Sequence, residues 1–201
     1  MTEVRTWGTP HGDARLHVDR ARSPRATVFL QHGAGGGPDA PDLVALAVAL
    51  PPQGITVIRL EQPWRVAGRK VATPPATLDA GAIAVVDRLR SRTPLILGGR
   101  SAGARSSCRI AHHLGASAVL ALSFPLHPPG KPERSRVEEL TSVRVPTLVV
   151  QGERDPFGRP ESAPGREVVL LRGDHSLRSD VAGLTAAVGG WLSRIVPAPA
   201  G

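Results

Sequence analysis

Apolar residues fall along the chain in two alternating rhythms. Short β-branched runs at Thr27–Leu30, Ile55–Leu60, Pro94–Leu97, Ala118–Leu122, Val145–Val150 and Glu167–Leu171 are mostly apolar throughout, as in parallel strands covered on both faces. Between them apolar residues take helical spacing. Leu78, Ala82, Val85 and Leu89 stand at i, i+4, i+7 and i+11, and Val181, Leu184, Val188, Trp191 and Ile195 do much the same. A shorter helix is marked by Leu43, Leu46, Ala47 and Leu50, with Asp39 or Asp42 beside Pro41 as its start signal. Ahead of these, Val4–Trp7 and Ala14–Val18 flank Pro10-His11-Gly12-Asp13, a hairpin pattern. An antiparallel start followed by repeated β-α-β units predicts an α/β fold: a doubly wound, mostly parallel sheet of eight strands with helices on both faces. No internal repeat or boundary interrupts it. One domain over 1–196 is expected, with 197–201 as a flexible tail.

Composition changes this picture little. Of 201 residues, 41% are hydrophobic and 21% charged, enough to bury a core and unlike a disordered chain. The net charge of +8 comes from 25 basic residues, of which 23 are Arg and two Lys, beside 22 Gly, 20 Pro and no Tyr. That skew matches a codon bias and weakens the charge as a sign of function. The arginines form no single run, and three Trp with three Phe are few for base stacking. No nucleic-acid partner is expected. Cys108, the lone cysteine, excludes an intrachain disulfide or a Cys-based zinc site; no metal and no cofactor are expected, and His112-His113 is better explained as a cationic helix end. The most apolar stretch, Leu43–Ile58, is broken by Pro51, Pro52 and Gly54, so no membrane span is expected. The first residues lack a basic segment followed by an apolar run, and a cytoplasmic location is expected.

Open α/β sheets place their chemistry at the carboxyl ends of strands. After Leu95-Ile96-Leu97 comes Gly98-Gly99-Arg100-Ser101-Ala102-Gly103, a G-x-S-x-G between a strand and a helix. That context suits a nucleophile elbow, where small neighbours let strand and helix meet around a strained serine. A serine hydroxyl needs a base. Asp155 follows the strand ending at Val150, and His175 follows the one ending at Leu171, on the same sheet edge as Ser101. Glu153 and Asp174 are rival acids, but Glu153 comes early in its loop and Asp174 adjoins the histidine it would have to orient. The loop Gln31-His32-Gly33-Ala34-Gly35-Gly36-Gly37-Pro38 has neither dinucleotide nor P-loop spacing. Beside the elbow it suits an oxyanion hole, with Ala34 and Ala102 as the two backbone donors.

Together these residues resemble the α/β-hydrolase superfamily, with its chain order of serine, acid and histidine in Ser101, Asp155 and His175. More narrowly, Gly98-Gly99-Arg100-Ser101 with Ser123-Phe124-Pro125-Leu126-His127-Pro128 resembles a small lidless branch of dienelactone-hydrolase-like enzymes. That branch includes the hydrolase-like domain of subunit three of the non-specific-lethal acetyltransferase complex. The resemblance spans roughly residues 25–195. It implies a serine hydrolase acting on a small-molecule acyl substrate, a carboxylic ester or thioester, or alternatively a catalytically silent binding subunit.

Substrate-shaping residues are fewer. Only Ser123–Arg144 separates the strands ending at Leu122 and starting at Val145, too little for a helical cap with its own core. Trp64, Arg100 and His127 are the substrate-lining candidates; Trp64 and His127 could equally pack under or cap their own loops, and Arg100, like Arg105, could pair instead. Cys108, seven residues beyond Ser101, is expected to face the core.

Overall fold

The computed structural model describes residues 2–196, so the expected tail at 197–201 lies outside the described residues. The chain order is β1 (Glu3–Thr9), β2 (Gly12–Asp19), β3 (Ala26–Gln31), α1 (Pro41–Ala49), β4 (Ile55–Glu61), α2 (Pro63–Val66), α3 (Pro75–Leu89), β5 (Leu95–Arg100), α4 (Ala102–Ile110), β6 (Ala118–Leu122), α5 (Val137–Thr141), β7 (Thr147–Gly152), β8 (Arg166–Leu171) and α6 (Val181–Ile195). The strands form one eight-stranded sheet in the order β1-β2-β4-β3-β5-β6-β7-β8. β1 pairs antiparallel with β2 and β2 with β4, and every later pairing is parallel.

The central strands are apolar on both faces because each face has its own core. Ala26, Val28 and Leu30 of β3 pack with Leu43 and Leu46 of α1 and Leu184, Val188 and Trp191 of α6. Phe29, between them, turns the other way to Ala82 and Val85 of α3 and Ala104 and Cys108 of α4. The sheet is therefore covered by α1 and α6 on one side and by α3 and α4 on the other. Burial of Cys108 also pushes its thiol up to about 12, which leaves it unreactive in the native state.

Two sequence expectations need correction. β5 does not stop at Leu97 but continues through Gly98 and Gly99 to Arg100. Glycines read as loop punctuation are strand here because the neighbours approach closely: a Cβ on Gly98 would stand 2.9 Å from Leu120 O. α4 ends at Ile110, so His112-His113 lies just beyond it, exposed. The segment after β6 holds only the five-residue α5, and among the described residues no helical lid rises over the sheet edge.

Candidate active site

The elbow is built by steric exclusion. Ser101 stands between β5 and α4 with φ 53 and ψ −111, a conformation that costs an L-residue on the order of 1–3 kcal/mol. Its N–H donates to Leu122 O at 3.0 Å, fixing the turn to β6. The turn closes because Gly99 and Gly103 carry no side chain: a Cβ on Gly99 would stand 2.6 Å from Gln31 O, and one on Gly103 would collide with the same peptide. The serine side chain does not cap α4. Its hydroxyl is free to point elsewhere.

It points at His175. Nε2 of His175 lies 3.0 Å from Ser101 Oγ, and Nδ1 lies 2.8 Å from Asp155 Oδ2. An ionised carboxylate only accepts, so Nδ1 carries the ring proton and Nε2 is left to accept from the serine hydroxyl. The Asp155 side chain is fully buried and the His175 side chain is 18% exposed. Asp155 Oδ1 accepts from the Phe157 N–H at 2.9 Å, and Oδ2 accepts also from Gln151 Nε2 at 2.7 Å. The Phe157 ring lies against His175, with centroids 4.2 Å apart. Asp174 instead closes its own turn, accepting from the Ser176 N–H and hydroxyl, whose bonds hold its carboxyl below the usual range. Glu153 is exposed. A serine hydroxyl, an imidazole and a buried carboxylate linked in this order are arranged for general-base activation of the oxygen.

The loop after β3 sits directly over the serine, where a Cβ on Gly33 would be 3.3 Å from Ser101 Cβ. His32 sets its course. The Gln62 N–H donates to His32 Nε2 at 3.2 Å, so the proton rests on Nδ1, which donates to Gly33 O at 2.9 Å. Burial holds the His32 pKa below its ordinary value, which keeps this neutral form. The C=O and N–H of a trans peptide point in opposite directions, so fixing Gly33 O also fixes the Ala34 N–H. Arg59 holds the next turn through Pro38 O at 2.8 Å. Among the described residues neither the Ala34 nor the Ala102 N–H donates to a protein acceptor. Two free donors beside a serine at a helix N-terminus suit a developing oxyanion.

Three substrate-lining expectations do not fit the structure. Arg100 turns inward, its Nη2 donating to His175 O at 3.0 Å and its Nε lying 3.3 Å from Asp42 Oδ2. Trp64 is 3% exposed and packs edge-on behind His32, at 5.5 Å between ring centroids. It lines a separate cavity of about 250 Å³ with His11, Arg69 and Thr77. His127 is tied to the acid loop: its N–H donates to Phe157 O, its Nδ1 bonds Pro128 O at 2.9 Å, and its ring lies against Gly158. Arg105 is paired as well, bidentate to Glu139 at 2.6 and 2.7 Å. Gln151 and Phe157 have no role in the sequence reading, and Asp42 figures there only as a helix start signal. Phe157 alone left a signal in the sequence, as an aromatic two residues past Asp155 in a chain with only six.

Among the described residues no cluster of three His, Cys, Asp or Glu side chains could hold a metal ion, and no helix is long and apolar enough to cross a membrane. The sequence profile of a family described as "Alpha/beta hydrolase domain" matches residues 24–185. A lidless α/β serine hydrolase from Xanthomonas campestris superposes with a TM-score of 0.79 at 22% identity, over 99% of this chain and 97% of that one. A serine hydrolase homologue from Coxiella burnetii gives 0.77 at 21%, over 96% and 98%. Dienelactone hydrolase from Anabaena variabilis gives 0.77 at 14%, over 98% and 99%. At these identities the likeness is one of fold.

Proposed function

We propose that this chain, which belongs to the alpha/beta hydrolase domain family, is a serine hydrolase that cleaves small carboxylic esters or thioesters through an acyl-enzyme on Ser101. The observation that carries the reading is the hydrogen-bonded run from Ser101 Oγ through His175 to Asp155, at 3.0 and 2.8 Å. As Ser101 Oγ attacks the carbonyl carbon, His175 Nε2 takes the hydroxyl proton. The oxyanion accepts from the Ala34 and Ala102 N–H groups, and the imidazolium keeps its second proton toward Asp155. Collapse expels the alcohol or thiol, which takes the proton from Nε2. Water then attacks the acyl-serine, gives its proton to Nε2, and the acid leaves as that proton returns to Ser101 Oγ.

With only α5 after β6 and no helical lid among the described residues, short or surface-presented acyl groups are favoured over long buried chains. Incubation with a fluorophosphonate probe tests the reading. The expected result is a single adduct by intact mass in the wild type and none in Ser101→Ala. A folded wild type that takes no label would turn the assignment toward a silent binding subunit.

A further inference from the structure

We propose that Arg100, braced by Asp42, is a positioning residue for His175; the inference rests on the serine-hydrolase reading above. Consecutive residues of the elbow grip the same histidine at two points. Ser101 Oγ meets the ring at Nε2, and Arg100 Nη2 donates to the His175 carbonyl, each at 3.0 Å. Among the described residues the His175 backbone makes no other hydrogen bond. Arg100 is thus what ties the backbone of that residue to the sheet.

Asp42 explains how a guanidinium can stand there. It is the second residue of α1, the helix that follows the loop over Ser101, and its side chain is fully buried. Arg100 Nε lies 3.3 Å from its Oδ2 without forming a well-aligned hydrogen bond, and only the Asp42 and Leu43 backbone N–H groups, also poorly aligned, offer further partial compensation. Burial pushes its pKa up. A buried carboxylate so poorly bonded is a net burden on stability. Its use is electrostatic. A bare guanidinium beside His175 would oppose the imidazolium that turnover requires, and Asp42 cancels that charge while holding the side chain inward. The other charged groups about His175 include Asp155 at Nδ1, the exposed Asp174 and Arg178 of its own loop, and Arg154 of the acid loop, which acts on Asp174; Arg178 acts also on Asp42.

The test compares wild type, Arg100→Met, Asp42→Asn and the double variant by thermal melting and by the rate of fluorophosphonate labelling across pH. Arg100→Met strands a buried carboxylate, so its melting temperature falls and labelling slows about ten-fold or more. Asp42→Asn removes the fully buried carboxylate and leaves a guanidinium that is 16% exposed, so at neutral pH it loses less melting temperature than Arg100→Met yet labels more slowly. The double variant regains the melting temperature but not the rate. The acid limb of the labelling profile moves to lower pH in Asp42→Asn and to higher pH in Arg100→Met. Opposite shifts of this kind do not come from lost stability. Equal rates in all four proteins, or a double variant that labels like wild type, would overturn the inference alone. A folded, unlabelled wild type overturns the hydrolase reading and this inference with it.

Discussion

At the scale of single residues, the site depends on donors and acceptors that cannot be exchanged. Asp155 presents acceptors on both sides: Oδ1 to the Phe157 N–H, Oδ2 to Gln151 Nε2 and His175 Nδ1. An asparagine there has one oxygen, so whichever way its amide turns, it sets N–H against N–H. Asp155→Asn should therefore lower the acylation rate by on the order of 10³–10⁴, measured as the labelling rate, with the fold intact by circular dichroism. Ser101, Asp155 and His175 were legible in the sequence because each stands just past a strand end, where chain position alone fixes the neighbourhood. Trp64, Arg100 and His127 were not. His32 and Asp42, distant in the chain, meet the side chains of Trp64 and Arg100, while the His127 ring bonds its neighbour Pro128 O and lies against Gly158.

At the scale of elements, apolar runs located β3 to β8 and the flanks of a turn located β1 and β2, while the ends misled at β5, where Gly98 and Gly99 look like loop and are strand. What closes a glycine strand is the approach of β3 and β6 from either side, which no local pattern encodes. The end of α3 holds a similar conflict. Arg90 caps that helix at φ 42, the left-handed region where glycine is the usual residue. Relief of the Cβ strain outweighs the greater unfolded freedom of glycine. Arg90→Gly should thus raise stability by about 0.5–1 kcal/mol, read as a higher denaturant midpoint at unchanged slope. An unchanged or lower midpoint would mean that the arginine side chain contributes more than its backbone costs.

At the scale of the whole molecule, buried charge sets how stability follows pH, and the buried groups do not all act in one direction. Glu139 ties α5 to α4 through Arg105 and Arg109, and Arg109 in turn holds Asp79 of α3. Burial alone would raise the Glu139 pKa, but the two guanidiniums win and hold it below the usual carboxylate value. A folded-state pKa below the unfolded one means stability that is complete above about 4.5 and is lost as pH falls through the lowered value. His32, depressed by burial, adds a loss that begins nearer its ordinary 6.5. Asp42 runs the other way, since its raised pKa makes protonation a relief as pH falls. The melting temperature should therefore decline from neutral pH downward in two stages, the first from His32 and the steeper second from Glu139. Glu139→Gln should lower stability at pH 7 by about 2 kcal/mol and flatten the second stage while leaving the first in place. A second stage that keeps its slope in the variant would assign acid unfolding to other carboxylates. The sheet and its order would survive that outcome, because they rest on the two apolar cores, but α5 would no longer count as pinned by charge.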